Sequence, residues 1–135
     1  MSSSLAARGT PILAVTGVDL SNNPGYLVTL TAGVPAINAS ATVPAVGIVL
    51  DGNLATRNST LGFLGANLPP VRVKISATSA ALNLGDTVQQ AADGTVTKDL
   101  GAGNARVVVG VVTDPNGAVA GDLAEVSLFP GQIRS

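Results

Sequence analysis

Apolar positions in this chain come in short bursts, each stopped by Gly, Pro, Asn or Asp. VRVKIS (71–76) alternates cleanly, with Val71, Val73 and Ile75 on one face and Arg72, Lys74 and Ser76 on the other. AEVSLF (124–129) turns Ala124, Val126 and Leu128 to one side in the same way. Residues two apart share a face of a strand, so both stretches predict half-buried strands. YLVTLT (26–31) is rich in β-branched and aromatic residues and is bounded by Gly25 and Gly33. AVGIVL (45–50) and RVVVGVVT (106–113) are almost wholly apolar, as strands covered on both faces are. DTVQQA (86–91), the turn Ala92-Asp93-Gly94 and TVTK (95–98) read as a hairpin. Helical periodicity never lasts three turns; residues 77–84 and 54–66 have room for one turn each. The pattern predicts an all-β protein, a compact sandwich or barrel.

The bursts repeat. VPAVGIVLDGN (43–53) and RVVVGVVTDPN (106–116), aligned on Gly47 and Gly110, agree at five of eleven positions, with Asp51 matching Asp114. Each copy has an earlier strand containing Val28 or Val88, and a later alternating strand, VRVKIS or AEVSLF. The expected organisation is therefore two half-repeats, 26–76 and 85–130, packed about a pseudo-twofold axis. The glycine-to-valine spacing is 26 residues from Gly47 to Val73 and 16 from Gly110 to Val126. On this alignment the first half carries about ten extra residues, expected as an elongated loop within 54–66. Gly47 and Gly110 are expected to permit close backbone approach, and Asp51 and Asp114 to close turns.

Residues 1–25 hold small polar residues and turn formers, with Ile12-Leu13-Ala14-Val15 as the one stretch able to pair. Two readings stand: an extended N-terminal arm ahead of a β domain at 26–135, or an ordinary first strand of that domain.

Composition narrows the function. Seven Lys+Arg against eight Asp+Glu leave a net charge of −1, which gives no electrostatic reason to expect nucleic acid or an anionic membrane as partner. There is no Cys and no His, so disulfides, thiolate or imidazole catalysis and ordinary zinc or copper sites are excluded. No stretch approaches the ~20 apolar residues of a spanning helix, and the N-terminus has no signal-peptide core, so cytoplasmic synthesis is expected. Charged residues make up 11% of the chain, against about 25–35% of a typical soluble surface. That leaves either a low-charge globular domain or a subunit whose neighbours cover much of its surface.

Chemistry-bearing residues are scarce. Asp51, Asp93 and Asp114 precede Gly or Pro, and Asp86 and Asp122 follow Gly, all turn positions. Asp51 and Asp114, with Asn53 and Asn116, offer oxygen ligands for calcium but lack the ligand density of a binding loop. GAGN (101–104) precedes a strand rather than a helix and is followed by no Walker-type lysine. Lys74 sits mid-strand, unlike the hairpin-borne lysine of a biotin or lipoate carrier. Neither catalytic residues nor a cofactor or metal site is expected.

The second half, GDTVQQAADGTVT followed by RVVVGVVTDPNGAVAGDLAEVSLFPG, resembles the capsid cement, or head decoration, proteins of tailed bacteriophages. The matching positions are Gly85-Asp86-Thr87-Val88, Gly94-Thr95-Val96, Val109-Gly110-Val111-Val112, Gly121-Asp122 and Val126-Ser127-Leu128. YLVTLTAG and AVGIVLDG match more loosely, and the likeness covers residues 26–130. The resemblance implies a β-rich structural protein on the outer surface of the phage head, joining neighbouring major capsid subunits, often as a homotrimer. Contact candidates are Leu5, Arg8, Ile12 and Leu13 in the arm, and Phe129, Ile133 and Arg134 near the C-terminus. The rival readings are a structural module of a tail, fibre or surface array, and then a lipoyl-like carrier.

Overall fold

The computed structural model describes the backbone of residues 12–16, 20, 22–53, 58–64 and 68–135, and the side chains of 20, 22–50, 61–64 and 68–135. The fold is all-β, with no helix among the described residues. The described residues form ten strands: β1 (Ile12–Thr16), β2 (Leu27–Thr31), β3 (Val34–Ile37), β4 (Gly47–Asn53), β5 (Asn58–Phe63), β6 (Val71–Lys74), β7 (Thr87–Gln90), β8 (Val96–Lys98), β9 (Arg106–Val112) and β10 (Leu123–Arg134). They make two five-stranded antiparallel sheets, ordered β1-β5-β4-β2-β3 and β6-β10-β9-β7-β8.

The two orders are the same order. Each sheet is built from five consecutive strands, and in each the first pairs with the fifth, the fifth with the fourth, the fourth with the second and the second with the third. The register agrees as well: Val28 faces Gly47 as Val88 faces Gly110, Val28 faces Ile37 as Val88 faces Lys98, and Val49 faces Leu61 as Val112 faces Val126. Backbone bonds around the strands repeat too. The amide of Gly25 donates to Val49 and that of Gly85 to Val112; Val49 donates to Tyr26 and Val112 to Asp86.

This pairing redraws the expected halves. VRVK is not the last strand of the first half but the first strand of the second, the counterpart of β1. The counterpart of AEVSLF is β5, which occupies the stretch expected as an elongated loop, so no ten-residue insertion is needed. Residues 12–16, expected as part of an arm, form an edge strand on β5, and the boundary drawn at residue 25 cuts through the first sheet. The one-turn helices allowed for 77–84 and 54–66 do not form among the described residues: 77–84 holds turns and a bridge from Leu82 to Ala118. Strand pairing satisfies the backbone there without one.

Each half closes over apolar side chains at equivalent positions. Val28, Val49 and Leu61 form a small cluster with Leu20 and Ile37, and their counterparts Val88, Val112 and Val126 lie in the larger core. The larger core also takes in Leu27, Ala45 and Ile48 from the opposite face of the first sheet. That sheet is thus apolar on both faces, which explains the unbroken apolar run through β4. Contacts across the junction are one-sided, where a twofold axis would make them reciprocal. Gly25 lies so close to Arg72, Lys74 and Leu123 that a Cβ would come within 2.7 Å of Leu123, whereas a Cβ at Gly85 would meet nothing within 4 Å. The amide of Leu27 donates to the carbonyl of Gly94 at 2.7 Å, and that of Lys74 to Gly25 at 2.9 Å. The back of the first half sits on the second half.

Candidate functional site: an apolar assembly surface

The acidic side chains were the natural place to seek chemistry, and all five described aspartates accept bonds from their own turns. Asp86 accepts the amide of Asn83 at 2.8 Å, Asp93 that of Thr95 at 3.2 Å, and Asp122 that of Val119 at 3.2 Å. The two oxygens of Asp114 accept the amides of Asn116 and Glu125 at 3.0 and 3.3 Å. The Asn116 amide, then the Glu125 amide, and more weakly the charge of Arg72 hold the Asp114 carboxyl below the usual carboxylate range. Asp51, aligned with Asp114 and expected to close a turn, lies instead within β4, opposite Thr60 on β5, because that ladder runs on to Asn53 whereas β9 ends at Val112; its side chain is outside the described set. No group of three or more potential metal ligands occurs among the described residues.

Asp99 and Arg106 form the most enclosed ion pair, the Arg106 side chain being only 7% exposed. Burial works to raise the Asp99 carboxyl but is overridden by the Gly101 amide, the Thr87 hydroxyl and Arg106, so the group is held low. Arg106 also donates to the carbonyl of Asn104. Lys74, the carrier candidate, lies in β6 and donates through Nζ to the carbonyl of Gly121 at 2.7 Å. These groups hold strands and turns together.

What remains is apolar surface. The β2–β3 hairpin, turned through Ala32 and Gly33 with φ of 51° and 79°, is a type I′ connection. It leaves Leu30 and Val34 about half exposed. The loop from Asn38 to Val46 exposes Val43 and Val46. Its far side is tied down by Gln90, which is 1% exposed and bonds to Ala45, Ser40 and Val43. Pro44 of this loop also meets Gly131, where a Cβ would come within 3.1 Å of Pro44 and 2.6 Å of Val107.

Gly131 lies in β10, which runs for twelve residues although β6 accompanies only Leu123–Val126. Past that point β10 pairs with β9 alone, through a bulge between Leu128 and Gln132. Ile133 sits directly opposite Val107, so the two side chains share a face of the sheet. Val107 is fully buried and Ile133 is 72% exposed. Phe129 is half-buried and Arg134 exposed, its guanidinium bonded to Gln132. Of the other contact candidates, Ile12 and Leu13 lie in edge strand β1, while Leu5 and Arg8 fall outside the described residues.

A cleft of about 320 Å³ opens at the junction of the halves, lined by Pro24, Gly25, Leu50, Val71, Arg72 and Leu123. Sequence patterns did not mark it, because its walls come from four separate stretches joined only by the seating of one half on the other. Its volume is at the low end for small-molecule sites, and Arg72 is its only charged wall among the described residues. No protein-family model matches the chain, and no curated protein matches it in sequence.

Proposed function

We propose that the chain is a structural capsid cement protein, which binds the outer surface of an assembled phage head and stabilises contacts between major capsid subunits. The observation that carries this reading is apolar side chains left at a sheet margin, Ile133 above all, on a chain with few charges. Exposed apolar groups of this kind suit protein–protein contact, and the described aspartates are engaged in turns rather than poised for catalysis. The likeness of the second half to decoration proteins supplies the particular partner. Phe129, Ile133 and Arg134 are the proposed contact residues, with a homotrimer as the working assembly.

The mechanism is thermodynamic. A protein that binds the closed lattice and not the free subunit stabilises the lattice by mass action, and the many equivalent sites of a shell add avidity. The test is co-sedimentation of the purified chain with expanded heads and with unassembled capsid subunits. Saturable binding to heads alone is the expected result; failure to bind any head lattice would refute the proposal.

A tail or fibre module is the second reading, because the same exposed apolar margin would serve a tail or fibre partner. Binding to tails and not to heads would establish it.

A further inference from the structure

The two halves share connectivity and register, so the first-half residues seated at their junction can be compared with counterparts on the second half. On the first half the seated surface is made by Tyr26, Leu27, Ile37 and Leu50, drawn from both faces of the sheet. Leu27 is fully buried, Leu50 packs on the core, and Ile37 and Tyr26 crowd Gly94 so closely that a Cβ there would lie 2.5 and 3.1 Å from them. The same four places on the second half hold Asp86, Thr87, Lys98 and Thr113. Each is polar and each is engaged: Lys98 pairs with Asp86 at 3.6 Å, the Thr87 hydroxyl donates to Asp99 at 3.0 Å, and the Thr113 hydroxyl donates to Glu125 at 2.9 Å.

The receiving side is asymmetric in the opposite sense. On the second half, Gly94 and Gln90 receive the first half, through the Leu27 amide and the 40–45 backbone respectively. Their counterparts are Gly33 and Leu30. Gly33 shares the positive φ of Gly94, 79° against 84°, but a Cβ on it would meet no atom within 4 Å. Leu30 and, on the opposite face of the same hairpin, Val34 are 40% and 54% exposed. The chain thus has an open apolar receiver at one end and a polar face where the next donor would be.

We infer that the half-repeat is a directional, head-to-tail unit, and that Asp86, Thr87, Lys98 and Thr113 are a polar cap that keeps a second copy of this chain from seating on the Leu30–Gly33–Val34 hairpin. Heterologous contacts of this kind propagate unless something stops them, and stacked repeats end in units with polar outer faces. Burying the Asp86–Lys98 pair and two threonines against an apolar hairpin would cost desolvation with no partner to offset it. This inference does not depend on the decoration reading.

The test gives the second half the donor face of the first, by Asp86→Tyr, Thr87→Leu, Lys98→Ile and Thr113→Leu together in the full chain. Sedimentation velocity and light scattering would compare its mass with the parent's across a concentration series, after circular dichroism has established a folded β protein. The expected result is a mass that climbs with concentration beyond the parent's, and that returns to the parent's when Leu30→Glu and Val34→Glu are added. If the fourfold variant does not fold, the ion pair alone, Asp86→Tyr with Lys98→Ile, is read in the same way. A folded variant with the parent's mass overturns the cap. Association that survives the two glutamates overturns the head-to-tail geometry.

Discussion

Gln90, on β7 of the second half, accepts the amide of Ala45 in the first half at 2.7 Å and donates to the carbonyls of Val43 and Ser40. One buried side chain therefore satisfies three main-chain groups of a loop from the other half. Replacing it with Leu, similar in size, would leave those groups without partners, and each unsatisfied buried group costs about 1–3 kcal/mol. Gln90→Leu is expected to lower stability by about 2–4 kcal/mol in urea unfolding. Hydrogen exchange at Ala45 should accelerate more than at Val109, which lies in the core. Equal acceleration at both sites would mean that Gln90 supports the whole fold rather than the loop.

Gly33 and Gly94 make a controlled comparison. Both turn hairpins with positive φ, so alanine strains the backbone by about 1–2 kcal/mol at either place. Only at Gly94 does the new methyl also meet Ile37, at 2.5 Å, and overpacking adds about 1–3 kcal/mol. Gly94→Ala should lower stability more than Gly33→Ala, by roughly that overpacking cost. Equal losses would show that the junction opens freely at this point.

Leu27 and Thr87 are counterparts with opposite surroundings, one buried at the junction and the other exposed. Leu27→Ala should cost about 2–5 kcal/mol, as cavity-forming substitutions in cores do. Thr87→Ala should cost about 1 kcal/mol, the worth of a hydrogen bond near the surface. Chemical denaturation of the two variants measures both.

Asp99 gives stability a pH dependence. Its carboxyl is held below the ordinary value of 3.8 in the folded chain. The stabilisation is therefore complete above the unfolded value and is lost as pH falls through the lower folded one. Asp99→Asn removes the charge facing Arg106 and should cost about 1.5–3 kcal/mol at neutral pH. The gap between parent and variant should close as pH drops below 3.8. A gap that persists at low pH would place the effect in packing rather than in the charge.

Much of this was legible in the chain. The Val-Gly-aliphatic-Val runs, the 86–98 hairpin and the turns closed by Asp86, Asp93, Asp114 and Asp122 follow from local patterns that the pairing preserves, whereas Asp51 is drawn into β4 by its pairing with β5. β5 was not legible, because Asn-Ser-Thr-Leu-Gly-Phe lacks β-branched density and alternation. It is a strand because β1 and β4 pair on either side of it, and context of that kind outweighs propensity. Missing β5 then shifted the repeat by one strand, since VRVK and AEVS alternate alike and either could be matched to the other. Gln90 was hidden for a different reason. A glutamine in a hairpin reads as solvent-facing, and only the approach of the other half buries it.

The position of β10 within its sheet also sets an order of events during synthesis. The first sheet contains only residues 12–63, so its five strands can pair once those residues have emerged. The second sheet has the first part of β10, Leu123–Val126, between β6 and β9, so the last strand to be made is the one that links them. Until that segment emerges, β9 has only β7 beside it and nothing links β6 to the sheet. The first half meanwhile holds the apolar back face of Leu27 and Ile48 in water. For the time the ribosome needs to add about seventy residues at about 5–20 per second, the nascent chain carries a finished sheet with nothing on which to seat it.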